Sequence, residues 1–431
     1  MSSNIESSIT GVRLPPASQQ SELNPTPTFD ANVITDGRRQ TLQHLLDKGH
    51  VTVAPLREPK LILHSHLPHL LGSAYILGAS SKQLEELYEH EITTLVHLDE
   101  TFIRGDGISK ANWRNYLGQK PYTVAFVDFF DDEVGLNDKD WAKVLRHYLN
   151  SGQEPLINGF IGGLGHPFIH LGYAWELQNA NIATEALSLG CTEYIPLHTL
   201  LDKNPPDNST YKTSNLAEVI SRVQKDTRLD DLFTDPGITN IEVLLQKRYD
   251  VLLEHWNAWQ VTDPLAQLEQ CCDLSLLLGI GTGDTAHKYD FYLIHTMTVA
   301  QAIRVLWHFF PEERRSSILR QYALFVLLIY ICQMKPDVDT DVIESIWSVE
   351  LDGRDWDWVV AKALGHKWVK DSHFLKVIRA PKAFEETYGK KDGFYLKATL
   401  KYLAEFDGWE GFGAGVEGFI ASRDGYIPED S

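Results

Sequence analysis

Apolar residues along most of this chain recur at intervals of three and four, which is the period of a helix with a buried face. The strict alternation of a half-buried strand is rare, and one segment, YTVAFVDFF at residues 122–130, is apolar and aromatic enough to predict a strand. The pattern therefore predicts a mainly α-helical fold with few short strands, with helices in residues 33–47, 65–80, 81–98, from 141 onward, and in 238–259, 263–279, 290–309, 314–334, 340–348, 371–388 and 395–406.

The domain organisation follows from composition. Residues 1–30 are rich in serine, proline, asparagine and glutamine, which predicts a flexible tail. Residues 203–215 have the composition of a loop, but no linker divides the rest of the chain. Residues 31–431 are therefore expected to form a single large helical domain.

Charge and apolar content limit the classes of partner. The 431 residues carry a formal net charge of −20 and are 43% hydrophobic, so a sizeable core can form. This charge argues against binding to nucleic acid or to an anionic membrane surface. The longest apolar run, residues 322–334, is shorter than the roughly 20 residues of a membrane span and predicts a buried core helix. The sequence leaves the oligomeric state open.

The four cysteines and the N-terminus indicate the compartment. Cys191, Cys271, Cys272 and Cys332 have no zinc-site spacing and do not form a disulfide framework. The first residues contain no apolar core of a secretory signal. We therefore expect a cytoplasmic protein.

Two glycine-rich stretches could be mistaken for nucleotide-binding loops. Neither GFIGGLGHP (residues 159–167) nor GIGTGD (residues 279–284) has the spacing and context of a dinucleotide or phosphate-binding loop, so turns before helices are expected. Phe160, Gly162 and His166 match the start of the fingerprint of flavin-dependent Baeyer–Villiger monooxygenases. His170 stands where that fingerprint requires tryptophan, which argues against a flavoenzyme.

Histidines are the candidate metal ligands, because neutral imidazole is the commonest ligand in proteins. With a helix starting at Ser65, His66 and His69 share a face, beside small residues that leave room for a ligand. His166 and His170 lie four apart behind Pro167, a residue suited to the first helical turn. A structural alternative stands beside each pair: solvent-facing imidazoles in the first, and buried core imidazoles in the second.

Two later segments add candidates of the same kind. His295 lies within a predicted helix, where a lone histidine is often a satisfied core group. His373 and Lys376 lie three apart in the helix that Asp371 is expected to cap. Lys376 stands among apolar residues, so its ammonium either reaches solvent or, if it is buried, is neutral or modified. A neutral lysine can take up carbon dioxide as a carbamate, which is an anionic oxygen ligand.

These segments resemble the questin oxidase-like family of fungal polyketide pathways. The resemblance covers about residues 60–380 and rests on four motifs in order. They are H-x-x-H followed by LGA (His66 to Ala79), G-G-x-x-H-P-x-I-H-L-G-Y (Gly162 to Tyr173), K-Y-D-F-x-L-x-H (Lys288 to His295) and D-S-H-x-x-K-x-x-R-A (Asp371 to Ala380).

The resemblance implies oxidative ring opening of an anthraquinone, giving a seco-anthraquinone or benzophenone, by a mononuclear non-haem iron dioxygenase. Dioxygen is then the co-substrate, and NADPH is compatible as an external reductant. The implied ligands are His69, His166, His170, His295 and Lys376 as a carbamate, with His66 and His373 in reserve. The carbamate of Lys376 would also act as the catalytic base. Departures from the motifs at Pro68 and at Leu164-Gly165 are expected to change substrate fit more than metal binding.

The substrate would be a small aromatic polyketide. Its flat rings are expected to lie against Phe168, Phe291 and Trp175, with Thr298 beside them. Three alternatives remain open: an NADPH-dependent Baeyer–Villiger-type oxidase without bound metal, a zinc hydrolase, and a non-catalytic binding protein of a biosynthetic cluster.

Overall fold

The computed structural model describes residues 14–18, 20–29, 37–57, 63–282, 287–338 and 340–413, and helices dominate them. This confirms the predicted mainly α fold. The helices are α1 (Gly37–Thr52), α2 (Leu67–Ile76), α3 (Ser81–Glu91), α4 (Thr123–Leu136), α5 (Trp141–Asn150), α6 (His166–Leu177), α7 (Ala180–Thr192), α8 (His198–Lys203), α9 (Leu216–Gln224), α10 (Asn240–Lys247), α11 (Tyr249–Ala258), α12 (Pro264–Ile280), α13 (Leu293–Val305), α14 (Glu312–Cys332), α15 (Thr340–Trp347), α16 (Trp356–Leu364), α17 (Ser372–Tyr388) and α18 (Phe394–Glu405).

The strands among these residues are short. They are β1 (Val53–Arg57), β2 (Leu63–His64), β3 (Leu95–His97), β4 (Tyr289–Asp290) and β5 (Trp409–Glu410). The first three form an antiparallel sheet in the order β2-β1-β3, and β4 pairs with β5 in parallel. The β4–β5 pair fixes the start of α13 beside the chain that follows α18.

Four helices form a closed ring of contacts that we call the central bundle: α2, α6, α13 and α17. Helix α6 packs against α2 and α13, and α17 packs against the same two helices. Helix α14 packs against α13 from outside this ring. It is the helix of the described residues that is long and apolar enough to cross a membrane, but 78% of its apolar window is buried. The predicted core helix is thereby confirmed.

The strand prediction for residues 122–130 is wrong, because this segment lies in α4. Phe126 and Phe130 lie one helical turn apart, and both are fully buried. Helix α4 packs along α7, so burial outweighs the strand preference of the aromatic and β-branched residues in this segment. A helix that is buried on several sides has a nearly continuous run of apolar residues. A buried strand has the same pattern, so the sequence pattern does not distinguish the two.

The start of α2 also differs from the prediction. The helix begins at Leu67 with His66 at its N-cap, while His64 belongs to β2 and pairs with Leu56. Ser65 still accepts a hydrogen bond from the backbone of Leu67, at 3.3 Å. Strand pairing therefore takes the residues before Ser65, and the helix starts two residues later than the sequence indicates.

The described part of the expected tail lies against the helical domain. The backbone N–H and the hydroxyl of Ser18 both donate to the carboxylate of Glu269, each at 2.7 Å. Leu23 is 2% exposed, and the backbone N–H of Phe29 donates to the carbonyl of Glu176 at 2.7 Å. The flexibility of residues 1–30 stays a prediction, and residues 1–13 lie outside the described part of the chain.

Asp371 should contribute more to stability than an ordinary helix cap. Its carboxylate accepts hydrogen bonds from the first turn of α17 and from the indole of Trp409. We expect Asp371→Ala to lower the free energy of unfolding by about 2–4 kcal/mol. The control Asp263→Ala, which removes only the cap of α12, should cost about 1 kcal/mol. Urea unfolding of the metal-free protein measures both, and equal losses would contradict the role of the Trp409 bond.

Candidate metal centre

The candidate site lies where the four helices of the central bundle begin. His66 caps α2, His166 is the first residue of α6, and His295 and His373 lie in the first turns of α13 and α17. Each helix directs the positive end of its dipole at this point. The site therefore favours uncharged or anionic groups over protonated ones. The side chains gathered here are each 5% exposed or less: His66, His69, His166, His170, His295, His373 and Lys376.

Five of these histidines surround one space. The nitrogens of His66, His69 and His166 lie within 4.8 Å of one another, and so do those of His166, His295 and His373. Because His166 belongs to both sets, the two sets adjoin at this residue. Within the described ranges, both sets consist of histidine alone, so no carboxylate completes them.

Backbone carbonyls fix the orientation of two of the imidazoles. The Nδ1–H of His166 donates to the carbonyl of Gly163 at 2.6 Å, and the Nδ1–H of His295 donates to that of Phe291 at 2.7 Å. In each ring the lone pair is thereby left on Nε2, which is the arrangement seen in ligating histidines. Nε2 of His295 and both ring nitrogens of His373 have no hydrogen-bond partner in the part of the chain that the structure describes. Orphaned buried nitrogens of this kind fit a metal ion.

The electrostatics of the site keep the imidazoles uncharged. Burial, followed by the charge of Lys376, lowers the pKa of His66, His69 and His373 well below its usual value. Burial also lowers the pKa of His166 well below that value, and lowers that of His295 to about 3. Neutral imidazole is the form that binds metals, so the five rings are ready to act as ligands near neutral pH.

Lys376 lies inside the centre and does not reach solvent. Its side chain is 2% exposed, and its charge lowers the pKa of all five imidazoles. Of the two alternatives for this lysine, the one in which its ammonium reaches solvent is therefore wrong. An ammonium here would repel a metal cation, whereas a carbamate on the same nitrogen would attract one.

His170 lies one layer further from the centre. Its Nδ1 is 3.1 Å from Nε2 of His69, and its Nε2 is 3.0 Å from Glu185. Glu185 also binds His50 at 2.7 Å, and His50 binds the half-exposed Asp131 at 3.0 Å. Both ring nitrogens of His170 are thus occupied, and a chain of hydrogen bonds connects His69 with the surface.

This chain of hydrogen bonds contains a charged imidazole. Burial opposes a charge on His50, but hydrogen bonds and charges of Asp131 and Glu185 outweigh burial and raise its pKa to about 10. Burial would raise the pKa of Glu185, but the two histidines beside it lower it to about 2. His50 was not predictable from the sequence, because no other candidate ligand or catalytic residue lies near it at the spacing of a known motif.

The glycines before α6 allow close packing. A Cβ at Gly162 would lie 1.9 Å from the backbone oxygen of Glu193, and one at Gly163 would lie 2.9 Å from the ring of His64. His64 binds Glu193 at 2.5 Å and stacks on His166 with ring centres 4.5 Å apart. The predicted turn before a helix is confirmed, and the glycines bring this turn against the histidine layer.

The residues expected to bind substrate separate into two groups. The ring of Phe291 lies 4.6 Å from that of His373 and 4.9 Å from that of His295, and Thr298 lines a small cavity shared with Lys376. Phe168 instead packs against Phe160 and Phe310, and Trp175 packs against Trp141 and Phe309. The structure brings Phe291 and Thr298 to the centre and places the other two in neighbouring aromatic packing.

The space that small residues were expected to leave beside His69 is filled. A Cβ at Gly72 would lie 2.8 Å from the ring of Tyr173. Tyr173 stacks on His69 with ring centres 5.0 Å apart, and its hydroxyl lies 2.6 Å from that of Ser73. The small residues of α2 therefore accommodate a tyrosine of α6.

The fold and the site together define a mainly α-helical protein with a buried centre of neutral histidines. The sequence profile of the questin oxidase-like family matches residues 63–381, and the chain belongs to that family. It is accordingly an oxidoreductase. The matched range contains the whole central bundle except the last turns of α17.

The similar proteins are fungal and distant in sequence. A Baeyer–Villiger oxidase of Pestalotiopsis microspora, GME11358, is 24% identical over 75% of this chain and 76% of its own length. The Baeyer–Villiger oxidase AgnL3 of Paecilomyces divaricatus is 22% identical over 82% of this chain and 80% of its own length. The oxidoreductase AflY of Aspergillus parasiticus is 24% identical over 78% of this chain and 71% of its own length.

The metal-free protein should lose stability as the pH falls from 8 to 5.5. The five imidazoles bind protons in the unfolded chain near pH 6.5 but not in the folded one, so unfolding takes up protons below that pH. Asp273 and Asp290, whose pKa values burial raises to about 6 and 7, and His50, whose pKa its two carboxylate partners raise to about 10, act in the opposite sense but are fewer than the five imidazoles. The melting temperature across this range measures the effect.

A single-site variant separates the centre from other titrating groups. His373→Gln should reduce the fall in melting temperature with pH, because one fewer imidazole is held neutral. His147→Gln removes an exposed histidine and should leave the slope unchanged. Equal slopes in all three proteins would contradict the assignment.

Proposed function

We propose that this chain is a non-haem Fe(II)-dependent dioxygenase that cleaves a carbon–carbon bond of an anthraquinone in a polyketide pathway. The observation that carries the proposal is the set of five buried, neutral imidazoles around one space. The names of the relatives, which are Baeyer–Villiger oxidases and an oxidoreductase, support an oxygen-inserting reaction. The lack of a flavin fingerprint in the sequence favours a metal as the oxygen-activating group.

The ligands would come from all four helices. His166 and His295 present Nε2 with the tautomer fixed, and His66, His69 and His373 offer the remaining nitrogens. His170 would support His69 from outside rather than bind the ion, since it belongs to neither set of converging nitrogens and binds His69 and Glu185. Iron in such proteins usually has one anionic oxygen ligand, and a carbamate on Lys376 would provide it.

The carbamate balances the charge of the site. The neutral amine of Lys376 would add to carbon dioxide and release one proton, so a neutral group becomes a negative one. The helix dipoles that converge here stabilise that negative charge. The carbamate could then also accept a proton from a phenol of the substrate.

Whether the reaction needs a reductant depends on the oxidation state of the substrate. Bound Fe(II) would supply the activation of dioxygen. If both oxygen atoms enter a reduced hydroquinone, cleavage of the bond beside the former quinone carbonyl needs no further electrons. A quinone substrate would first need two electrons, for which NADPH would serve as the external reductant. Phe291 would form an aromatic wall for the flat rings, because its ring contacts both His295 and His373.

A zinc hydrolase is the second candidate, because a site made of imidazole nitrogens also suits Zn²⁺. The two functions differ in their need for dioxygen. Turnover under argon with zinc would favour the hydrolase. Dioxygen consumption that matches product formation, with Fe(II) present, would favour the dioxygenase.

The first test is metal binding. Protein purified without oxygen and loaded with Fe(II) should hold one equivalent, and His166→Gln and His295→Gln should each weaken binding by at least about tenfold. His147→Gln, at an exposed site, should bind as the wild type does. Metal analysis after gel filtration measures this, and full oxidase activity without a transition metal would overturn the proposal.

The second test concerns Lys376. We expect Lys376→Ala to lose oxygenase activity, with partial recovery on addition of acetate, because a free carboxylate can replace the carbamate. The control Lys362→Ala changes an exposed lysine of α16 and should retain activity. A carbamate signal in the NMR spectrum after exposure to ¹³C-labelled carbon dioxide should be present in the wild type and absent in Lys376→Ala. Wild-type activity in Lys376→Ala would remove this residue from the site.

A further inference from the structure

The central bundle borders a cavity at the ends of its four helices that lie away from the histidines. A cavity of about 410 Å³ lies there, large enough for a drug-sized ligand. On α17 the distance along the helix from His373 to Thr387, which lines this cavity, is about 21 Å. We call it the outer cavity; its walls include Asn24, Phe29, Leu77, Arg304, Ala383 and Thr387.

A smaller cavity lies between this region and Lys376. It has a volume of about 20 Å³, which is room for one molecule the size of water, and Lys376 and Thr298 line it. Glu176 and Arg379 line both cavities and form an ion pair with each other. This ion pair is therefore the wall between the outer cavity and the space beside Lys376.

The outer cavity contains a buried cation without a carboxylate partner. Arg304 is 5% exposed, and its hydrogen bonds go to the neutral side chains of Gln301, Thr26 and Thr387. Within the described ranges, no carboxylate lies at ion-pair distance from it. Its place in the last turn of α13 compensates about half a charge through the helix dipole. Glu176 acts on this charge only from beyond ion-pair distance. A buried charge normally has a full partner, so an anionic group bound at Arg304 would be stabilised there.

The rest of the cavity suits a flat aromatic body. Phe29, Ile76 and Leu77 provide an apolar side, and the exposed Asn24 and Pro25 form part of the rim. The segment from Asn24 to Phe29 covers the cavity and is held by the bond from Phe29 to Glu176. Two of the cations that line the cavity are paired, Arg379 with Glu176 and Lys382 with Glu386. The walls therefore combine an apolar surface with one cation, Arg304, that has no ion pair among the described residues.

We propose that the outer cavity is a binding site for a flat aromatic ligand that carries an anionic oxygen, with Arg304 binding that oxygen. The inference rests on the proposed function only in taking this ligand to be the aromatic substrate, held outside the Glu176–Arg379 pair before it reaches the metal centre. A phenolate and a carboxylate share the chemistry that the guanidinium recognises.

Binding of a matched pair of probes tests the site. Anthraquinone-2-carboxylate is anionic, and anthraquinone-2-carboxamide has the same shape without the charge. Isothermal titration calorimetry of the full-length, metal-free protein with each probe should show tighter binding of the carboxylate. Arg304→Gln should weaken binding of the carboxylate by about tenfold and should change that of the carboxamide by less than about twofold.

A second variant blocks the space without removing a charge. Ala383→Phe places a ring in the outer cavity and should weaken both probes by at least about tenfold. The controls are Ala361→Phe and Arg146→Gln, both at exposed positions, and each should bind as the wild type does. Arg304 also binds two threonines, so Arg304→Gln could fail to fold. In that case the Ala383→Phe variant decides whether the outer cavity binds the probes.

The outcomes separate this inference from the proposed function. Wild-type affinity in Ala383→Phe, or no binding of the carboxylate by the wild type at millimolar concentration, would overturn the site. Equal weakening of both probes in Arg304→Gln would overturn the role of the charge. Iron content is measured on the same proteins: a wild type that binds the probe but takes up no iron contradicts the proposed function alone. A wild type that takes up iron but binds no probe contradicts this inference alone.

Discussion

The structure depends on one constraint: four helices must begin at the same buried point without bringing positive charge together there. Each helix start carries about half a positive charge, and burial removes the water that would screen it. Imidazoles meet this constraint because they can stay neutral, and burial lowers the pKa of all five well below its usual value or, for His295, to about 3. A lysine in the same place does not meet it as an ammonium, which explains why Lys376 is the residue whose chemical state matters most.

The same constraint explains the surroundings of the centre. Turns made of glycine bring the start of α6 against Glu193 and His64, where a side chain would not fit. Carbonyls of residues just before α6 and α13 hold the Nδ1–H groups of His166 and His295, so Nδ1 of each ring is the protonated nitrogen. Carboxylates are kept one layer outside, on His64 and His170. The innermost layer is thus a nitrogen site that a metal and one anionic ligand would complete.

The parallel direction of the four helices gives the protein two different ends. The N-terminal ends meet at the histidines, and the C-terminal ends meet at the outer cavity, where Arg304 and Arg379 lie. The dipole makes the first end electropositive and the second electronegative, so cationic side chains at the second end are favourable. Under the two proposals, one set of helices would provide both the place of the reaction and, about 20 Å away along α17, a larger space for an aromatic ligand.

The sequence by itself determined the helical fold and most of the site residues. Helical spacing located α10 to α14, α17 and α18, because long amphipathic or apolar runs bury one face whatever their neighbours are. Motifs brought together His166, His295 and Lys376. Only the tertiary structure showed that α4 is a helix, that both nitrogens of His170 are occupied, and that His50 and Glu185 lie behind it. Those facts depend on contacts between residues far apart in the chain, which local spacing does not encode.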